Sequence, residues 1–204
     1  MLYSGKDLRK LIIPLIIEQI LAIAVGMADT IMVSAAGEAA VSGVSLVDTV
    51  NILLINVFSA LATGGAVVSG HFLGKKKRED ACKSAWQILL FATLLAFVIS
   101  VIFITAHDPL LRLMFGKIED DVMKASKTYL IITTYSFVAL AIYNSCAALF
   151  RAMNESKVTM WVSLLMNVIN VVGNAICIYG LHMGVAGVAI PTTISRYVAA
   201  GGGF

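Results

Sequence analysis

Charge is what this sequence lacks most. Asp, Glu, Lys and Arg make up 13% of its 204 residues, against about 25% in a soluble domain. Hydrophobic residues make up 59% and the mean hydropathy is +0.92. That balance excludes an ordinary soluble domain and marks an integral membrane protein. Cysteine is scarce as well. Cys82, Cys146 and Cys177 are odd in number, scattered through apolar segments, and form no CxxC pair. Neither a disulfide framework nor a zinc site is indicated. His71, His107 and His182 fall at span ends or in loops, and HExxH and GxSxG patterns are absent. An intramembrane enzyme would need a convergent nucleophile–base or metal constellation, which this pattern does not supply. The net charge of +3 sits in short loops rather than on a basic face, so no nucleic-acid partner is expected. No cofactor is expected either.

What is there is a series of long apolar runs. A helix needs about 20 apolar residues to cross a bilayer. The sequence predicts an all-α membrane bundle with five full spans and part of a sixth. They run about Leu8–Ser34, Val44–Leu73, Ala81–Ala106, Val122–Met153, Val158–Tyr179 and Val185–Phe204. The polar stretch His107–Asp121 carries Leu110, Leu111, Leu113, Met114 and Phe115 among its charges, as a segment lying along the interface would. The sixth span is barely long enough, and its end after Gly201-Gly202-Gly203 reads as a truncation or an artificial junction. Lys6, Arg9 and Lys10 precede the first apolar run, which is too long for a signal-peptide core and reads as a retained span. Basic residues recur at Lys75–Arg78 and at Arg151 and Lys157. The links around Glu38 and His182 have none. The positive-inside rule therefore predicts a cytoplasmic N-terminus.

Polar residues inside the spans are the functional candidates. The first span holds Glu18, Gln19 and Asp29. A carboxylate at membrane depth costs at least about 2.5–3.5 kcal/mol, so such residues face a protein interior or a watery cavity. Asp29 reads as an ion or proton site; the bland alternative is a hydrogen-bonded core carboxylate or a helix-end residue. Glu18, eleven residues earlier, lies on almost the same face and carries the same two readings. In the fifth span Asn167, Asn170 and Asn174 share a face. They either bond to neighbouring helices or line a hydrated cavity. As a cation site they need a carboxylate nearby, and Asp29 is the obvious one, since oxygen ligands suit a hard cation. Ser59, Thr63, Ala66 and Gly70 share a face of the second span suited to close helix packing. Pro14 and Pro191 interrupt helices and can kink them.

Three stretches carry a resemblance. The first-span run from Pro14 through Glu18-Gln19 to Gly26-Met27-Ala28-Asp29-Thr30-Ile31-Met32-Val33 resembles the first helix of the multidrug and toxic compound extrusion (MATE) transporters. Leu149-Phe150-Arg151-Ala152-Met153-Asn154-Glu155-Ser156-Lys157 resembles that family's fourth-to-fifth loop. Gly184-Val185-Ala186-Gly187-Val188-Ala189-Ile190, followed by Thr192 or Thr193, resembles its sixth-helix entry.

The resemblance implies a proton- or sodium-driven antiporter that exports cationic amphipathic drugs from the plasma membrane. Family members have twelve helices in two six-helix lobes around a central cavity. This chain would be one N-terminal lobe, residues 1–204, lacking a C-terminal lobe. The implied cation-coupling residues are Asp29, Asn170, Asn174 and Thr192, with H+ or Na+ as the coupling ion and membrane lipid and a small-molecule substrate as partners. Glu18, Gln19 and Asn167 would be cavity or secondary polar residues. Pro14 falls on the first-helix proline whose kink has been proposed to change with protonation. Asn174 stands where several members carry aspartate, which leaves open a single-carboxylate, proton-coupled site. Two other readings remain: a related flippase for lipid-linked or polysaccharide precursors, which a more cationic cavity would favour, and an inactive half-transporter. Arg196 is the only arginine deep in a span.

Overall fold

The computed structural model describes residues 5–202, with side chains from Leu8 onward. The side chain of Lys6, counted above among the basic residues, and Gly203 and Phe204, the end of the sixth expected span, lie outside that description. The described residues form helices α1 (Gly5–Ser34), α2 (Glu38–Gly74), α3 (Arg78–Thr105), α4 (His107–Phe115), α5 (Asp120–Thr134), α6 (Phe137–Ala152), α7 (Ser156–Ala175) and α8 (Ala186–Gly201). A π-helical turn, Ile176–Gly180, ends α7. Helices α1, α2, α3 and α7, the last with its terminal turn, are long and apolar enough to cross a membrane, and α5 and α6 taken together as one bent span are as well. Helix α8 has 16 residues, about 24 Å at 1.5 Å per residue, against a hydrocarbon core of about 30 Å.

The fourth expected span, Val122–Met153, is not one rod. It breaks between Thr134 and Phe137, and its halves meet at a bend of 53°. The reason is local. Thr133, Thr134 and Ser136 turn their hydroxyls onto backbone carbonyls of the preceding turn, an alternative to the helical ladder that such residues favour. Other helices satisfy the carbonyls released there. Ser100 of α3 donates to Thr134 O at 3.3 Å. From α8, Thr193 donates to Ile132 O at 3.1 Å and Tyr197 to Tyr135 O at 2.7 Å. Buried carbonyls rarely go unpaired, and here the partners arrive from outside the broken helix.

Helix α2 is central, packed by α3, α5 and α6; α7 lies between α1 and α8; α8 also meets α5 and α6. Small residues set the close crossings. The buried stripe of α2 is Phe58, Ala62, Ala66 and Ser69. Of the expected face, Ala66 is buried and Gly70 sits beside Ala152 of α6, while Thr63 is exposed and lines a cleft with them. Gly43 lies so close to α5 that a methyl group there would stand 2.7 Å from Ala125 Cβ. Gly173 has the same relation to Pro191 of α8. Without an apolar drive between helices in lipid, such close approach supplies packing energy.

Two turns share one geometry. Lys76 and Asn154 both take positive φ, 60° and 65°. In each, the next residue's N–H reaches back to the carbonyl five residues earlier: Lys77 to Phe72 at 3.0 Å, Glu155 to Phe150 at 2.8 Å. These are left-handed helix C-terminal caps. They lie at the same end of the bundle, for Gly70 of α2 sits beside Ala152 of α6. The N-terminal half of α1 reaches that end too, where Leu11 and Leu15 line a cleft with Arg151.

Candidate functional site

At the other end of the bundle α1, α7 and α8 bring four of the expected residues together. Asp29 of α1 is half-buried; Asn170 and Asn174 of α7 and Thr192 of α8 are buried. The amides sit one turn apart and so point the same way. Asn174 Nδ2 donates to Asp29 Oδ1 at 2.7 Å. One atom of the Asn170 amide lies 3.0 and 3.2 Å from the two carboxylate oxygens, and the other lies 2.9 Å from the Thr192 hydroxyl.

Which way that amide is set follows from its hydrogen-bond partners. With nitrogen toward Asp29, it donates to an ionised carboxylate and its oxygen accepts from Thr192. With oxygen toward Asp29, it accepts from Asn174 Nδ2 at 3.2 Å, its own nitrogen donates to Thr192, and Thr192 donates to Val188 O at 2.8 Å. The second setting puts three oxygens face to face. An ionised carboxylate is an acceptor only, so the first setting is the one that satisfies both groups. One further atom is poised there: Asn174 Oδ1 is buried without a partner.

The other expected residues are elsewhere. Asn167 is buried one turn before Asn170, and its Nδ2 has no partner. Gln19 is exposed. Glu18 lies about 16 Å from Asp29 along the helix at 1.5 Å per residue. It forms an ion pair with Arg151 of α6, whose Nη2 lies 3.1 and 3.3 Å from its carboxylate oxygens, with Tyr143 Oη at 3.5 Å. Sharing a helix face did not place the two carboxylates in one site. Pro14 and Pro191 both lie inside continuous helices.

Residues that the sequence reading left unassigned complete the neighbourhood. Asp48 of α2 accepts from Tyr129 Oη of α5 at 3.0 Å and from Asn51 Nδ2 at 3.3 Å. A cavity of about 30 Å³ lies between Asp29 and Asp48, walled also by Thr30, Ser45, Tyr129 and Val188. Buried Arg196 of α8 donates to Ser136 Oγ at 2.9 Å. It lies within charge-interaction range of Asp48. Asp48 meets the same criterion that singles out Asp29, a carboxylate within an apolar span.

Comparison with known proteins places this geometry. The chain is 32% identical over 190 residues to the uncharacterized transporter YisQ of Bacillus subtilis, covering 91% of this chain and 41% of that protein. It is 28% identical over 200 residues to a probable multidrug resistance protein NorM of Thermotoga maritima, covering 96% and 43%. Among solved structures, a multidrug resistance MATE family transporter in its outward-facing conformation superposes with a TM-score of 0.89 at 25% identity. That match covers 96% of this chain and 43% of the other. The chain thus spans about two fifths of the length of the relatives it matches. The MatE family model matches residues 14–176, a stretch that holds Asp29, Asp48, Asn170 and Asn174. With a multi-pass helical membrane fold and a family match over most of its length, the chain belongs to the MatE family of transporters.

Proposed function

We propose that this chain forms the N-terminal lobe of a cation-coupled antiporter that exports cationic amphipathic compounds. The observation that carries the reading is the contact set of Asp29. A half-buried carboxylate in an apolar span, held by two amides, is placed to exchange a cation. Asn170, Asn174 and Thr192 orient it. The coupling ion is H+ or Na+, and no other cofactor is required. Relatives named for multidrug resistance support the substrate class. Gln19, exposed on α1, is free to meet a substrate; Glu18 and Asn167 are held inside. Pro14 and Pro191 each remove one helical hydrogen bond and give α1 and α8 a place to bend. A companion lobe of similar size completes the cavity, in the plasma membrane, with the N-terminus and the turns at Lys76 and Asn154 in the cytoplasm. Arg196 is buried and bonded to Ser136 inside the lobe rather than lining a cationic cavity, which argues against a carrier of anionic lipid-linked precursors.

Coupling follows if cation and substrate favour opposite conformations, since their differential affinities set the exchange. The test is Asp29→Asn in the transporter that carries this lobe, reconstituted in proteoliposomes. Asparagine keeps size and hydrogen bonding but not charge. The variant should insert and fold, yet lose export driven by an imposed proton or sodium gradient. Undiminished gradient-driven export by a well-folded Asp29→Asn protein would make Asp29 structural.

A further inference from the structure

The proposed cation site contains more charge than Asp29 supplies. Across a cavity of about 30 Å³ stands Asp48. That volume holds one water or one small ion, since about 10–15 Å³ suffices for a water. Tyr129 walls the same cavity and donates to Asp48. Arg196, 9% exposed and bonded to the neutral Ser136 hydroxyl, lies within charge-interaction range of Asp48. Among the described residues, the charged and ionisable groups that interact with Asp29 or Asp48 from the packed helices are Tyr129 and Arg196. The facing groups of α7 are neutral amides.

The formal charges decide the matter. Asp29 and Asp48 contribute −1 each and Arg196 contributes +1, leaving −1. An unbalanced charge in a low-dielectric interior is costly, so the cluster draws in a counter-charge. We propose that Asp48 and Arg196 are specificity-determining residues that fix the uptake of this lobe at one monovalent cation, proton or Na+. This rests on the reading of Asp29 as the cation-exchanging group. Asp48 keeps the cluster negative. Arg196 keeps it from needing two cations or a divalent one.

Charge arithmetic gives a test that a structural role would not pass. The 204-residue chain is placed in lipid nanodiscs. Bound Na+ is counted by equilibrium dialysis with radioactive sodium. Proton uptake is counted from the carboxylic-acid C=O band in infrared difference spectra. The wild type should take one cation per chain in one of the two arms. Asp48→Asn brings the sum to zero and should weaken uptake on the order of tenfold, the effect of a unit charge at about 10 Å and an effective dielectric of about 20. Arg196→Gln brings it to −2 and should tighten uptake or admit a second cation. The double variant returns to −1 and should regain single uptake. Packing defects would instead add. Arg196→Lys keeps the charge and should keep the wild-type count, which separates charge from folding damage. Wild-type uptake by Asp48→Asn, or a double variant worse than both singles, overturns the inference. Loss of uptake in Asp29→Asn with none in Asp48→Asn sinks only this inference. Wild-type uptake in Asp29→Asn sinks the reading beneath it as well, and absence of uptake in both arms of the wild type sinks both.

Discussion

Replacing Glu18 by glutamine removes one charge from a pair that ties α1 to α6 and leaves the side-chain shape intact. Arg151 Nη2 sits 3.1 and 3.3 Å from the two carboxylate oxygens, with Tyr143 Oη at 3.5 Å. Unit charges about 4 Å apart attract by about 4 kcal/mol at an effective dielectric near 20. Two corrections reduce that. The Arg151 side chain is 33% exposed, against 10% for Glu18, so solvent screens part of the attraction. Glutamine also keeps an acceptor for the guanidinium. Against them stands Arg151 Nε, buried and without a partner, so the guanidinium has little else to bind. A loss of about 1–3 kcal/mol follows, between the exposed and the fully buried cases. The assay is a double-mutant cycle of Glu18→Gln, Arg151→Gln and both, read by thermal unfolding in detergent or nanodiscs. A coupling energy of about 1 kcal/mol or more is expected. A value within about 0.5 kcal/mol of zero, the usual scatter of independent sites, would refute the latch. Glu18 would then return as a cavity residue.

Three further outcomes are expected. Gly173→Ala places a methyl group 2.7 Å from Pro191 Cβ; α8 must move off α7 at a cost of about 1–3 kcal/mol, and cation-dependent transport should fall with stability. Equal stability and transport in that variant would mean the crossing is loose. Asn154→Ala strains a backbone with φ of 65° by about 1–2 kcal/mol, while Asn154→Gly should be tolerated; thermal unfolding compares them. Single cysteines at Lys76 and Asn154, in a background where Cys82, Cys146 and Cys177 are replaced, should be labelled by a membrane-impermeant reagent from the same side. Labelling from opposite sides would overturn the placement of the two turns at one end.

The spans were legible because lipid admits only helices, and apolar length alone marks them. Asp29 was legible for the same reason: a carboxylate amid apolar residues stands out. The Asn170–Asn174 spacing also survives into the structure, because residues four apart on a helix share a face. Other parts were hidden. A span drawn from Val44 leaves Asp48 one turn from its end, where a carboxylate needs no partner. Helix α2 begins at Glu38 instead, which carries Asp48 into the bundle. The break at Tyr135 was hidden because Thr133, Thr134 and Ser136 are tolerated in a helix interior. What tips them out is the supply of donors from Ser100, Thr193 and Tyr197, 34 to 62 residues from the carbonyls they meet. The pairing of Glu18 with Arg151 was hidden likewise. Face-sharing predicts which way a side chain points, and not which neighbour waits there.

These hidden contacts converge on one stretch of α8. Thr192 meets Asn170 of the Asp29 site. The next residue, Thr193, holds Ile132 O; Arg196 holds Ser136; Tyr197 holds Tyr135 O. All four lie within two turns of a single helix, beyond Pro191 and therefore without its missing hydrogen bond. A displacement of α8 that parted Thr192 from Asn170 would also strip donors from the carbonyls at the bend between α5 and α6, or carry the bend along. Uncovered carbonyls in lipid cost several kcal/mol each. One stretch of α8 thus braces both the Asp29 cluster and the break between α5 and α6, through side chains that need no contact with each other.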